Sequence, residues 1–186
     1  MNLEALKLYE HLPNYTYDDY KKWEGDWELI AGVPYAMAPA PVKLHQKLVG
    51  MIFAQIESSL EKCSECEALI DSDWKIDSQT VLKPDVALVC GDENPDFISK
   101  TPELIFEVLS PSTAKRDEGL KFSIYEQEGV KYYVLVYPDA LMARIYKNDN
   151  FRFVKMGECD TERFEFNDLR CPLSFDFDFL FKKFRR

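Results

Sequence analysis

The feature that most constrains this chain is an acid inside a strand. Residues 103–109 read ELIFEVL, and Glu107 stands between Phe106 and Val108 in a run otherwise apolar up to Leu109. Strand-forming residues without alternation indicate a strand buried on both faces. An unpartnered carboxylate there costs on the order of several kcal/mol. It must therefore be paired, hydrogen-bonded or bound to a metal. A second acid, Asp85, follows Pro84 and opens another apolar run, VALVC. Proline is tolerated at the first position of a strand.

Beyond Glu107 the chain reads SPSTAKRDEGLKFSIY. Ser112 or Thr113 is expected to cap a helix running to about Glu128, with Gly129 as its C-terminal stop. On that helix Asp117, Lys121 and Tyr125 share one face at i, i+4 and i+8. Asp85 and Glu107 on adjacent strands, with Lys121 from the next helix, would make a metal-and-lysine site. The plainer reading is a structural salt bridge between Glu107 and Lys121 or Arg116. For Asp117 and Lys121 it is an exposed pair worth ~0.3 kcal/mol.

The rest of the chain supplies a frame for these residues. Thr16 offers a helix N-cap with Asp19 three residues on, opening a short helix through Tyr20 and Trp23. A hairpin is expected from Asp26–Ile30 and Val33–Met37, turning at Ala31–Gly32. Val42–Glu61 is an amphipathic helix with Leu44, Leu48, Met51, Ile52 and Leu60 on its apolar stripe. Strands are expected at Ala68–Asp77, Lys83–Cys90, Glu103–Leu109 and Lys131–Tyr137, with Gly91–Lys100 a loop. A hairpin pairs Ala143–Lys147 with Phe151–Lys155. Glu162–Phe166 and Leu173–Phe179 follow as strands, the latter with Phe175, Phe177 and Phe179 alternating. A last helical turn falls at Leu180–Phe184. The fold class expected is α/β: a central mixed β-sheet with flanking helices and an added N-terminal hairpin. One domain is expected over residues 1–186, with a lead at 1–14, a core at 15–155 and an extension at 156–186.

Composition bears mainly on partners and location. The formal net charge is −10, which is awkward for a nucleic-acid binder. A local basic cleft or bound cations would have to reverse that field. No apolar run is long enough for a bilayer, and the N-terminus lacks the order of a signal peptide. The cysteines are odd in number, five in all, and Cys90 reads as a reduced core residue. Cys63 and Cys66 form a C-x-x-C with no second pair at zinc-finger spacing, and read as a surface accident. A cytoplasmic protein without membrane partners is the expectation. The KKFRR end reads as a short solvated basic tail.

Helix, strands, helix and strand in this order, with Pro84-Asp85 on one strand and Glu107 on the next, resemble the PD-(D/E)XK nuclease superfamily. The lysine that normally stands two residues after the second acid is replaced by Leu109. Some branches place it on the following helix, where Lys121 stands. The segments YTYDDYKKWEGDWELIAGVPYAMAPAPVKLHQKL, KPDVALV and PELIFEVLSPSTAKRDEGLKFSIYEQEGVKYYVLVYP together resemble the Uma-two family of restriction endonucleases, over about Tyr15 to Lys155. The resemblance implies a restriction-endonuclease-like core that hydrolyses DNA phosphodiester bonds. It implies Asp85, Glu107 and the Val108 carbonyl as ligands of Mg²⁺, with Mn²⁺ as a substitute, and Lys121 as a third catalytic group. Glu28 and His45 match positions where the family carries an acid and a histidine, so they are expected to line the cleft. Ser110 and Asp117 are expected there too, beside Ser112, mainly to cap and position the helix. A homodimer is an expected arrangement, because double-strand cutting needs two sites. Two alternatives stay open: a catalytically silent binding or assembly module on the same fold, and a metal-dependent hydrolase of a non-nucleic substrate.

Overall fold

The computed structural model describes residues 13–37 and 42–185; most of the expected N-terminal lead lies outside these residues. The first helix, α1 (Tyr17–Tyr20), is opened as expected. Asp19 Oδ2 accepts the Thr16 backbone N–H at 3.0 Å and the Thr16 hydroxyl at 2.9 Å. Trp23 lies beyond the helix in the turn that follows. β1 (Trp27–Ile30) and β2 (Val33–Ala36) form the hairpin. Its two-residue turn calls for positive φ at both central positions, and Ala31 and Gly32 have φ of 49° and 76°.

Next comes α2 (Lys43–Ser59), which buries Leu48, Val49, Ile52 and Ile56 on one stripe. It leads into β3 (Cys66–Ile70). The strand expected to run on to Asp77 is broken at Asp71, which adopts a left-handed φ of 53°. The chain turns there and changes sheet. β4 (Trp74–Lys75) and β5 (Val81–Leu82) join the hairpin in a four-stranded sheet ordered β2-β1-β5-β4. β5 falls ahead of the second expected strand, Lys83–Cys90, which forms as β6 (Val86–Cys90) of the larger sheet.

Every residue of β6 and of β7 (Leu104–Val108) is buried, Glu107 included, as runs without polar alternation require. The helix after β7 is not regular throughout. Arg116–Lys121 is a π-helical turn, and α3 (Phe122–Gln127) continues it to a stop at Gly129, where φ is 77°. β8 (Tyr132–Tyr137), β9 (Met142–Asn148) and β10 (Phe153–Cys159) complete a six-stranded sheet ordered β10-β9-β8-β7-β6-β3. Its pairs are antiparallel except β7–β8, which is the pair joined by the helical crossover.

The C-terminal hairpin is β11 (Arg163–Phe166) with β12 (Leu173–Asp176). The strand expected to reach Phe179 ends at Asp176 instead. Asp176 Oδ1 accepts the Phe179 N–H at 2.8 Å and opens α4 (Phe177–Phe181). Phe175 and Phe177 are therefore buried while Phe179 faces solvent. Phe166, Phe175, Phe177 and Phe181 share a core with Leu48 and Ile52 of α2 and Phe106 and Val134 of the sheet. Across the sheet a second core gathers Trp74, Ile105, Leu109, Tyr125 and Tyr133.

The cysteines differ from the sequence reading. Cys90 is joined to Cys66 directly across the β3–β6 pair, and Cys63 is joined to Cys171, 108 residues away. The C-x-x-C turn is thus built into the fold rather than incidental, and Cys159 is the free cysteine. No helix among the described residues is long and apolar enough to cross a membrane.

Candidate active site

Side chains on β7 alternate between the two cores. Leu104, Phe106 and Val108 enter the core under α2, while Ile105 and Leu109 enter the other. Glu107 shares the parity of Ile105 and Leu109, so it faces the helical segment that follows β7. Asp85 stands one residue ahead of β6, and its Oδ2 accepts the Val108 backbone N–H at 2.6 Å. This bond fixes the Asp85 carboxylate against β7, beside the residue that follows Glu107.

Lys121 reaches the same place from the π-helical turn. Its Nζ lies 2.8 Å from Glu107 Oε1, 2.9 Å from Glu28 Oε1 and 3.8 Å from Asp117 Oδ1. It also donates to the Lys83 carbonyl at 3.2 Å. The wider turn sets Asp117 and Lys121 inward together, and π turns recur at functional sites. Tyr125 donates its hydroxyl to Glu107 Oε1 at 2.8 Å, and Tyr133 donates to the Asp117 carbonyl at 3.0 Å. Glu28 arrives from β1 in the other sheet. Its Oε1 also accepts the Lys83 N–H at 3.0 Å, and its Oε2 lies 3.3 Å from Arg116 Nη1. Glu28, Glu107, Asp117 and Lys121 are all buried, so the exposed Asp117–Lys121 pair of the plainer reading is excluded.

Burial sets the electrostatics. It pushes the Glu107 pKa well above its ordinary value; Lys121 opposes the rise, while Asp85 and Asp117 add to it. Burial raises Asp117 likewise, against the pull of Lys121. For Lys121 burial works against the ammonium, but Glu107, Glu28 and Asp117 outweigh it and hold the group firmly charged.

A cleft of about 690 Å³ opens beside these groups, and Asp85, His45, Ser110 and Thr113 line it. Glu107 and Lys121, 2% and 1% exposed, lie behind its wall. The expected catalytic residues are therefore brought together in depth, with Asp85 facing the cleft and the other two behind. His45 Nε2 is 3.3 Å from Asp85 Oδ2, and His45 Nδ1 is buried without a hydrogen bond among the described residues. Burial disfavours the charged ring, but Asp85 and the Val108 carbonyl outweigh it and raise the His45 pKa. Ser110 acts chiefly on its own turn: its Oγ accepts the Thr113 N–H at 3.2 Å and lies 2.9 Å from Ser112 Oγ.

Sequence reasoning passed over Asp71. It follows β3, lines the cleft with Asp85, and has its pKa raised by burial and by the nearby Asp85 and Asp26 charges, against the pull of Lys83. Only the DSD cluster at residues 71–73 hinted that the strand ended in acids. Arg116, the other candidate salt-bridge partner of Glu107, pairs with Glu28 instead.

With this geometry in place, the comparisons with known proteins fall into line. The Uma2 (Uma-two) family model, described as "Putative restriction endonuclease", matches residues 16–161. The chain belongs to the Uma2 family. A relative from Synechocystis sp., known as "Uncharacterized protein slr1290", is 29% identical over 182 residues, spanning 91% of this chain and 93% of its own. A crystal structure from Anabaena variabilis, described as "a putative nuclease belonging to DUF820", superposes with a TM-score of 0.71 at 17% identity. It covers 90% of this chain and 97% of its own. That likeness establishes the fold.

The side chains of this Uma2 protein fit a hard divalent cation. Among the described residues the cleft lining carries carboxylate and hydroxyl oxygens, the Gln46 amide, the His45 imidazole and the Met37 thioether, and no thiol. Asp26, Asp71 and Asp85 line the cleft against a single histidine, an oxygen-rich set of the kind hard divalent cations take. His45 Nδ1, without a hydrogen bond among the described residues, is a further buried polar atom on the ring beside Asp85.

Proposed function

We propose that this chain is a metal-dependent endonuclease that hydrolyses phosphodiester bonds in DNA. The observation that carries the reading is the Glu28–Lys121–Glu107 ion cluster packed behind Asp85, which is itself hydrogen-bonded to the β7 backbone at Val108. In this reading Asp85, Glu107 and the Val108 carbonyl hold Mg²⁺, with Mn²⁺ as a substitute. When bound, the ion supplies Lewis-acid polarisation of the phosphate and a more acidic water. Lys121 contributes a fixed positive charge for the phosphate charge that develops during attack. Glu28 and Asp117 keep that ammonium in place. Ser110 and Thr113 hold the turn that starts the π-helical segment, and His45 and Asp71 shape the cleft in front of Asp85.

The same reading takes residues 1–186 as one domain, supported by the core that residues 166–181 share with α2. It takes the protein as cytoplasmic and as a homodimer that presents two sites to a duplex. The experiment is cleavage of supercoiled plasmid with Mg²⁺ or Mn²⁺. Nicked and linear products are expected from the wild type, and none from Asp85→Ala, Glu107→Ala or Lys121→Ala. Plasmid left intact by the wild type with both metals would remove the proposal.

A second reading is a catalytically silent module on the same fold. It is favoured by the net charge of −10 and by the enclosure of Glu107 and Lys121 behind the cleft wall. Retained DNA binding without cleavage would select it.

A further inference from the structure

Four of the five cysteines meet at one place, away from the cleft. Cys63 lies in the turn after α2, Cys66 opens β3, Cys90 ends β6, and Cys171 precedes β12. The sulfurs stand as two pairs, Cys63 with Cys171 and Cys66 with Cys90. Those of Cys63, Cys66 and Cys171 also lie within 4.8 Å of one another, so the two pairs are contiguous. The C-x-x-C cysteines do not pair with each other. Each contributes one sulfur to a cluster whose other members come from a distant strand and from the C-terminal extension.

Two independent disulfides need no such convergence, whereas a metal centre requires it. A tetrahedral Zn²⁺ with thiolates at ~2.3 Å holds its sulfurs ~3.8 Å apart. That spacing falls within the span of the Cys63, Cys66 and Cys171 sulfurs, and the Cys90 sulfur adjoins them through Cys66. The donors suit the ion: four soft thiolates in a tetrahedral S₄ set select Zn²⁺ over the hard cations of the cleft. Cys66, Cys90 and Cys171 are buried, as structural zinc ligands are. Cations also stand next to the cluster. A Cβ on Gly91, the residue after Cys90, would come 3.0 Å from Arg170 Nη1 and 3.5 Å from Lys100 Nζ. Arg170 is itself the residue before Cys171. Their charges oppose the net charge of about −2 carried by four thiolates on one Zn²⁺.

We propose that the reduced cluster is a structural tetrathiolate zinc site with Cys63, Cys66, Cys90 and Cys171 as its ligands. It clamps the β11–β12 extension and the α2–β3 turn to β3, the edge strand of the six-stranded sheet. The chemistry balances simply. A phosphine cleaves each S–S bond with two electrons from phosphorus, takes its oxygen from water and leaves two thiols. Zn²⁺ then displaces four thiol protons as four Zn–S bonds form. In a reducing compartment a dithiol does the same work, becoming a disulfide as it does so.

The test uses the full chain purified with tris(carboxyethyl)phosphine. One zinc per chain is expected by elemental analysis, and it should survive the Asp85→Asn change that alters the cleft. Cobalt substitution should give a thiolate-to-metal charge-transfer band in the near ultraviolet. Zinc uptake should be lost in the Cys63→Ser, Cys171→Ser double variant. A reduced wild-type chain that takes up no more zinc than the double variant would overturn the proposal and leave two structural disulfides. Should the double variant fail to fold, the wild-type cobalt spectrum decides alone. A spectrum without the thiolate band overturns the proposal, as does iron in place of zinc in the purified protein.

Discussion

Lys121 Nζ lies 2.9 Å from Glu28 Oε1, so one buried ion pair ties the N-terminal sheet to the helical segment behind β7. Glu28 comes from β1 and Lys121 from the π-helical turn, 93 positions apart in the chain. Lys121 has Glu107 on its other side, and Glu28 has Arg116. Removing one member leaves the remaining charges buried and uncompensated. Lys121→Met is therefore expected to cost ~3–5 kcal/mol in unfolding free energy. Urea denaturation of the two proteins measures it. A loss below ~1 kcal/mol would mean that water reaches the cluster.

Tyr125 separates stability from chemistry. Its hydroxyl donates to Glu107 Oε1 at 2.8 Å from full burial, but it carries no charge of its own. Tyr125→Phe keeps the ring and deletes that bond, at an expected cost of ~1.5–3 kcal/mol for a hydrogen bond to a charged group. Plasmid cleavage should persist in this variant at a temperature where it is folded. Complete loss of cleavage would give Tyr125 a direct part in the reaction.

The loop after β6 carries a pH-dependent tie. Asp92 accepts the Asn94 N–H at 3.0 Å, the Ser99 N–H at 2.6 Å, the Ser99 hydroxyl at 2.7 Å and the Lys100 N–H at 3.0 Å. Partial burial pushes the Asp92 pKa up, but these donors outweigh it and hold the group below its ordinary 3.8. A depressed folded pKa gives stabilisation that is present above the unfolded value and is lost as pH falls through the folded one. Protection of the Ser99 and Lys100 amides, taken relative to their intrinsic exchange, is expected to be full near neutrality and to be lost only as pH falls below the ordinary 3.8 through the depressed folded value. Asp92→Ala should remove that protection from both amides across the whole range, which amide exchange by NMR can follow.

Much of this was legible in the sequence, for reasons that differ by residue. Glu107 announced itself because a carboxylate inside LIFEVL has so few tolerable surroundings. Lys121 and Tyr125 followed from helical spacing, and the β1–β2 turn from Ala31-Gly32. What was not legible depended on contacts across the fold. The left-handed residue at Asp71 divides a strand that local pattern makes continuous, and it delivers an acid to the cleft. The π-helical turn leaves no mark in composition. Asp176 ends its strand through a cap, although the alternation of Phe175, Phe177 and Phe179 runs on past it. The cysteines were misread because C-x-x-C was judged against local zinc-finger spacing. Its partners, Cys90 and Cys171, lie 24 and 108 residues away along the chain.

Asp71 deserves its own variant because the cleft is shared. Asp71 and Asp85 line it together, and their mutual repulsion falls when a divalent cation binds between carboxylates. Asp71→Asn is expected to weaken Mn²⁺ binding by roughly tenfold, the effect of ~1.4 kcal/mol. Equal affinity in wild type and variant would place Asp71 outside the site.

The most direct measurement is a calorimetric titration of Mn²⁺ into the wild type and Asp85→Asn, both with Cys63–Cys171 and Cys66–Cys90 paired as disulfides. The wild type should bind Mn²⁺ in the cleft, and Asp85→Asn should lose that binding while remaining folded. Equal Mn²⁺ binding by the two proteins would contradict the assignment of Asp85 as a metal ligand, and with it the metal-dependent reading of the site.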